Sequence, residues 1–267
     1  NGKERFLELL KNFAADLQSY VSDESNQWTI KGFIDSYKNV YSITSDTKVI
    51  SKIIEIHLFP KFLEFSKKNN FALILADHQN YYPDISFVSE ANNEKFAVDI
   101  KTTYILDSNP EYCNGFTLGS HGAYFIDRNC AKNIQFPYNE YKGHFCLGVF
   151  YQRNNLNKLE ETKMYGIDNL HRIPSVIKNL SFFAAEKWAI ASDKGGSGNT
   201  ANIGSIKKIK DIAEGNGTFK NLGEKWFDDY WMNYGKITVQ DANGKPKKIT
   251  SLSEYLKFRG VNPEDKF

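Results

Sequence analysis

The stretch 82–104, YPDISFVSEANNEKFAVDIKTTY, constrains the fold more than any other. Two apolar-rich runs, DISFV and KFAVDIK, flank the polar turn SEANNE, which is the pattern of an antiparallel hairpin. Side chains alternate along a strand, so Phe96, Val98 and Ile100 share one face while Ala97, Asp99 and Lys101 share the other. Paired across the turn, Asp84 at the start of the first run lies opposite the end of the second, beside Asp99.

Two readings of that hairpin follow from its residues. In one, Asp84, Asp99 and Lys101 form a solvated face with a surface ion pair worth under about 1 kcal/mol. In the other, the two carboxylates converge and repel unless a cation sits between them, and Mg²⁺ accepts one or two carboxylates together with phosphate oxygens and waters. The lysine then neutralises charge on a phosphate and helps to position or deprotonate an attacking water. The spacing alone leaves both readings open.

The rest of the chain supplies a core and helices to carry such a hairpin. Its 267 residues are 41% hydrophobic and 15% aromatic, ample for a packed interior. Residues 3–21 place Phe6, Leu10, Phe13 and Leu17 at helical spacing, and 28–43 reads as short antiparallel strands. Ser45 or Asp46 caps a helix over 47–70, with an apolar stripe of Val49, Ile53 and Ile56, a kink expected at Pro60, and Glu55 off the stripe. Strands follow at 71–76, 84–88 and 95–104, and apolar runs at 145–151 and 182–191 extend the sheet. An aromatic helix over 221–234, an Asn243-Gly244 turn and a helix over 251–258 close the chain. No repeat or linker interrupts it, so one mixed α/β domain over 1–267 is expected.

The apolar runs FALILA and FCLGVFY are far short of the roughly 20 residues that span a bilayer. The opening NGKERF is polar, and the three cysteines form no C-x-x-C pair. A soluble cytoplasmic protein without a signal peptide is the expectation. A net charge of +2 does not announce nucleic acid, so a DNA-binding surface has to come from local clustering.

The glycine-rich segment 193–205, DKGGSGNTANIGS, offers such a surface. Gly196 and Gly198 let the backbone approach a partner closely, and Ser197, Asn199 and Thr200 carry short polar side chains between and beyond them. Asn pairs bidentately with adenine N6 and N7, and Thr meets a thymine methyl. A plain surface turn is the alternative; a phosphate-binding loop is not, because neither Gly-Lys-Ser/Thr nor G-x-G-x-x-G is present.

Pro83-Asp84 followed by Asp99-Ile100-Lys101 looks like the catalytic signature of the PD-(D/E)xK nuclease superfamily. With SDTKVISKIIE at 45–55, QNYYPD at 79–84, VDIKTTY at 98–104, FTLG at 116–119, KNI at 132–134, GSGNTANIGSI at 196–206 and DYWMNY at 229–234, the chain resembles the EcoRV-type type II restriction endonucleases. The resemblance implies a restriction-endonuclease-like fold: a mixed central sheet flanked by helices, with a small dimerisation subdomain from 28–43 and 164–168. It implies an Mg²⁺-dependent homodimer that reads a palindromic duplex site, GATATC, and cuts both strands to blunt ends carrying 5′-phosphates. A cognate DNA methyltransferase in the host, without direct contact, goes with that activity.

Residue by residue, the resemblance implies Asp84, Asp99, Glu55 and Ile100 at the metal and Lys101 as the catalytic lysine. Lys48 falls near the active site, Gln79 and Asn80 on the minor-groove side, and Thr102, Thr103, Thr117 and Lys132 near the phosphate backbone. Gly196, Ser197, Gly198, Asn199 and Thr200 form the recognition loop, supported by Asn202. The sequence departs from the family where Tyr81 replaces a histidine, Ala201 replaces a threonine and the turn between the two aspartates is one residue shorter. Of two C-terminal phosphate-contacting arginines, Lys236 stands at the first position and Asp241 near the second, where a carboxylate repels phosphate; Lys245, Lys247 and Lys248 are the substitutes at hand. A DNA-binding module without hydrolysis and a repair nuclease are the competing readings. The intact Asp84, Asp99 and Lys101 set disfavours the first and the GSGNT loop the second. The five histidines lack metal-ligand spacing, and Trp188, Trp226 and Trp231 read as core.

Overall fold

A computed structural model describes residues 1–78, 80–196 and 201–263. Helix α1 (Gly2–Val21) opens with a capping box, in which Asn1 accepts from the Glu4 amide and Glu4 reaches back to Asn1. Strands β1 (Gly32–Ile34) and β2 (Asn39–Ser42) follow, then α2 (Thr47–Lys68), whose N-cap is Asp46, its carboxylate accepting from the Lys48 and Val49 amides. Next come β3 (Phe71–Leu75), β4 (Ile85–Ser89), β5 (Lys95–Leu106), β6 (Asn109–Cys113), β7 (Thr117–Ser120) and β8 (Tyr141–Arg153). A short α3 (Lys158–Glu161) leads to β9 (Met164–Gly166), β10 (Ile177–Glu186), β11 (Ala191–Gly195) and β12 (Asn202–Ser205). The chain ends with α4 (Ile209–Glu214), α5 (Glu224–Asn233), the hairpin β13 (Thr238–Gln240) and β14 (Pro246–Lys248), and α6 (Leu252–Phe258).

The central sheet runs β10-β8-β5-β4-β3, with β6 added to the end of β5. Only β5 and β8 are parallel; the other pairs are antiparallel, so the sheet is mixed as expected. One face packs on α1 and α2: Phe6, Leu10 and Leu17 with Ile50, Ile54, Leu58 and Phe62 meet Phe87, Phe96, Val98 and Val149. Phe6 stacks on Phe96 with ring centroids 4.3 Å apart and planes 3° from parallel. The other face is covered as well, by a second cluster that joins Ala97, Cys146, Phe150 and Phe183 to Ile212 of α4 and Phe227, Tyr230 and Trp231 of α5. Each fully buried aromatic stabilises the fold by about 1.5–3 kcal/mol, and because both faces are covered, a polar side chain on either one is taken out of water.

Two expectations need correction. The buried stripe of α2 is Ile50, Ile53, Ile54 and Leu58, while Ile56 is 62% exposed, because the helix presents to the sheet a face rotated from the one that Val49, Ile53 and Ile56 mark out. The apolar run 182–191 is not one strand: β10 begins at Ile177, and a tight turn at Trp188–Ile190 carries the chain into β11. Pro60 leaves α2 continuous over its 22 residues. Its missing N–H would have met the carbonyl of Ile56, and both residues lie on the outer face, where water satisfies the orphan group.

Two small sheets sit beside the main one. β1-β2-β9 gathers the segments 28–43 and 164–168, and β11-β12-β7 carries the glycine-rich segment.

Candidate active site

The two aspartates meet as the hairpin pattern predicts. The pairing Ile85↔Val98 sets the register of β4 on β5, so Asp84 stands opposite Asp99 at the open end of the pair. The backbones brace both carboxylates: the Asp84 amide donates to Asp99 Oδ1 at 3.2 Å, and the Ile100 amide donates to Asp84 Oδ2 at 2.7 Å. Lys101 Nζ lies 3.0 Å from Asp99 Oδ2. Asp99 is 7% exposed, which rules out the solvated-face reading.

Burial and the neighbouring charge of Asp99 push Asp84 up to about 6, against the pull of Lys101 and the Ile100 amide. Burial also opposes the charge on Lys101, but Asp99 and Asp84 outweigh it and raise its pKa. Two carboxylates and one ammonium leave the pair short of positive charge, which is the condition a divalent cation relieves.

Glu55 lines the same cleft as Asp84, but its carboxylate is held by Lys52 at 2.7 Å and it reaches Asp84 only through its field. Among the described residues no three His, Cys, Asp or Glu side chains come together tightly enough to hold a metal. Asp84 and Asp99 together would offer a cation two carboxylates, the oxygen donors that hard cations take. Ile100 buries its side chain in the core and touches the site through its backbone.

Around Asp84 opens a cleft of about 720 Å³ lined by Lys48, Glu55, His78, Tyr81 and Thr102. Lys48 lies exposed in the first turn of α2, and Asn80 and Lys132 are exposed in turns. Thr103 points the other way: it is 4% exposed and its hydroxyl donates to the Gly115 carbonyl at 3.2 Å. Lys236 is exposed and donates to the Met232 carbonyl at 2.7 Å.

The glycine-rich segment takes in the end of β11 and all of β12, which pair antiparallel. Gly195 pairs with Ile203, and the Gly196 amide donates to the Asn202 carbonyl at 2.8 Å, so Asn202 supports the base of the tip. Ser197, Gly198, Asn199 and Thr200, like Gln79, lie outside the described residues. Close packing fixes the base: a Cβ on Gly204 would lie 2.6 Å from the Lys194 carbonyl oxygen, and one on Gly196 would lie 2.4 Å from Thr117 Cγ2. Asp193 ties the hairpin to the C-terminal helices, its carbonyl accepting from the Tyr230 hydroxyl at 2.6 Å and its carboxylate from the Leu252 amide at 3.0 Å.

Comparison with known proteins decides the family. The sequence model of the family described as restriction endonuclease EcoRV matches residues 24–260. The chain is also 37% identical to the type II restriction enzyme EcoRV of Escherichia coli over 248 residues, 92% of this chain and 98% of that enzyme. The chain belongs to the EcoRV family of restriction endonucleases. It is thus a site-specific deoxyribonuclease acting on DNA, and EcoRV-type enzymes are metal-dependent. Within this EcoRV-family fold, sequence reasoning missed Lys187, Tyr82 and His144, which form a buried polar group behind Asp99. A lysine inside the apolar run SFFAAEKWAIA was the available signal.

Proposed function

We propose that this chain is an Mg²⁺-dependent restriction endonuclease that acts as a homodimer on the duplex palindrome GATATC and cuts at its centre, leaving blunt ends with 5′-phosphates. The observation that carries the reading is the braced set of Asp84, Asp99 and Lys101 within hydrogen-bonding distance on one hairpin. Asp84 and Asp99 hold the metal, with Ile100 beside them and Glu55 contributing charge from α2. Bound there, Mg²⁺ supplies electrostatic stabilisation to the developing charge on the phosphate. Lys101 Nζ stands 3.0 Å from Asp99 Oδ2, and the two aspartates raise its pKa. Its ammonium therefore serves as a fixed positive charge toward the scissile phosphate and a donor that orients the attacking water.

Recognition falls to the hairpin tip: Asn199 reads adenine, the backbone at Gly196 and Gly198 meets the outer bases, Ser197 and Thr200 complete the loop, and Asn202 supports it. The central TA step is easily unstacked, so bending it would carry the scissile phosphate toward Asp84, Asp99 and Lys101. Lys48, Gln79, Asn80, Thr102, Thr117, Lys132 and Lys236 border the DNA backbone, and Thr103 holds the strand beneath it.

A palindrome is read most simply by a two-fold dimer. The β1-β2-β9 sheet supports one, since Phe33, Ile34, Tyr41 and Met164 are each 45% or more exposed there. The remainder of the chain forms one catalytic domain. Acting in the cytoplasm, it requires host DNA to be protected by a methyltransferase that need not touch it. Among the described residues no helix is long and apolar enough to cross a membrane. Incubating the protein with phage DNA and Mg²⁺ tests the proposal: discrete fragments that disappear in Asp99→Ala are expected, and a smear or intact DNA would refute it.

A further inference from the structure

Behind Asp99 lies a lysine that the reaction described above does not use. Lys187 directly follows β10, is 4% exposed, and among the described residues its Nζ has no hydrogen-bond partner. Three rings surround the ammonium: Tyr82 at 5.1 Å, Phe125 at 5.3 Å and Tyr138 at 5.6 Å from ring centroid to Nζ. On a further side is Gly119 of β7, where a Cβ would come within 3.5 Å of Nζ and 3.4 Å of the Tyr124 hydroxyl. The cage is itself braced. The Lys187 amide donates to the His144 carbonyl at 2.8 Å, His144 Nδ1 shares a hydrogen bond with the Tyr82 hydroxyl at 2.8 Å, and the imidazole stacks on Tyr138 at 3.6 Å.

An unpaired buried ammonium is expensive, and aromatic faces return only part of the lost hydration. Burial accordingly pushes Lys187 down to about 8, with the charge of Asp99 pulling it back up. The other charges that bear on it are Lys101, Asp228 and Arg128. Arg128 and Asp228 neutralise each other through contacts of 2.9 Å. Lys101 balances one of the two aspartates; Asp99 pairs with Cys146 of β8 and Cys146 with Ala185 of β10, two residues before Lys187, so the strand register brings a second ammonium to the same pair.

We propose that Lys187 is a buried counter-charge, caged by Tyr82, Phe125 and Tyr138, that shares with Lys101 the task of offsetting the carboxylate charge centred on Asp99. The inference rests on reading Asp84 and Asp99 as the metal ligands. It has a consequence that simple packing does not. A cation held behind the carboxylates repels an incoming divalent ion, so neutralising it tightens metal binding, whereas a packing defect would splay the carboxylates and weaken it.

The test is Mn²⁺ binding to the full chain without DNA, read from loss of the free-ion EPR signal, alongside thermal unfolding. Lys187→Met is expected to lower the Mn²⁺ dissociation constant by at least about threefold, with an unfolding midpoint equal to or above that of the unsubstituted protein. Lys187→Gln removes the same charge and should move the constant in the same direction. An unchanged or larger constant in either folded variant overturns the proposal, as does failure of both to fold, which would make Lys187 a packing residue. Asp99→Ala is the control for the underlying site. If it binds Mn²⁺ as well as the unsubstituted protein does, the metal-site reading itself fails and this inference falls with it.

Discussion

Under the proposed function, two hairpins of this molecule divide the work differently. In β4–β5 the functional groups are strand side chains, fixed by register and by the amides of Asp84 and Ile100, and they lie within a sheet covered on both faces. In β11–β12 the strands only present a tip, and the glycines at its base, Gly196 and Gly204, are placed by contacts with Thr117 and Lys194. Hydrolysis needs charges held to a fraction of an ångström, whereas reading bases needs a loop that can enter a groove. Strand placement serves the first, and a loop carried on a packed glycine base serves the second.

Separating the two hairpins by mutation gives the largest effect at the catalytic one. Asp99→Ala leaves the Asp84 amide and Lys101 without their acceptor and should slow cleavage on the order of 10³-fold, while duplex binding in a gel-shift assay survives. Loss of binding together with cleavage would join functions that the account keeps apart. Next in size is a stability effect confined to the same hairpin. Asp84 has its pKa raised from 3.8 to about 6 in the folded chain, so its ionisation destabilises the metal-free fold progressively as pH rises through that window. Asp84→Asn removes the dependence and should stabilise the metal-free protein at pH 7 by up to about 3 kcal/mol, with no gain below pH 4, as read by urea unfolding at both pH values.

At the recognition tip, Asn199→Ala should lose about 1–3 kcal/mol of discrimination at the adenine position, measured as the ratio of cleavage rates on cognate and single-substituted duplexes. Metal binding should not change. The smallest effect distinguishes the two bases. Gly204→Ala forces the Lys194 carbonyl away and should lower specific DNA affinity by about 1–2 kcal/mol with the Mn²⁺ constant unchanged. Gly148→Ala, whose Cβ would meet the Phe183 ring at 1.9 Å, should instead lower the unfolding midpoint of the central sheet without altering discrimination.

The same contrast explains what could be read from the sequence. Alternation around SEANNE put Asp84, Asp99 and Lys101 on one face, because a period of two allows no other placement once the hairpin pairs. Whether that face met water was not legible: it depends on the cluster of Tyr82, Tyr124, Phe125 and Tyr138, gathered from separate turns of the chain. The stripe of α2 was misplaced for a related reason. Val49, Ile53 and Ile56 form a plausible helical face, but the sheet's aromatic layer of Phe87 and Phe96 selected the neighbouring one. Turn and cap chemistry read well, as at Asp46 and Gly244, because it is decided within a few residues. Lys187 was missed since its cage is assembled from four separate segments, and only the oddity of a lysine within an apolar run marked it.

The central claim is that bond cleavage resides in the β4–β5 hairpin and site selection in the β11–β12 tip. Its most direct test is to map fragment ends at nucleotide resolution on a duplex containing one GATATC and a full set of single-base variants, with Mg²⁺, for the unsubstituted protein and Asp99→Ala. The account predicts one blunt cut at the centre of GATATC, none in the variants under the same conditions, and about 10³-fold slower cutting with Asp99→Ala. Cutting by Asp99→Ala at the same position and at an undiminished rate, or cuts unrelated to any fixed sequence, would contradict it.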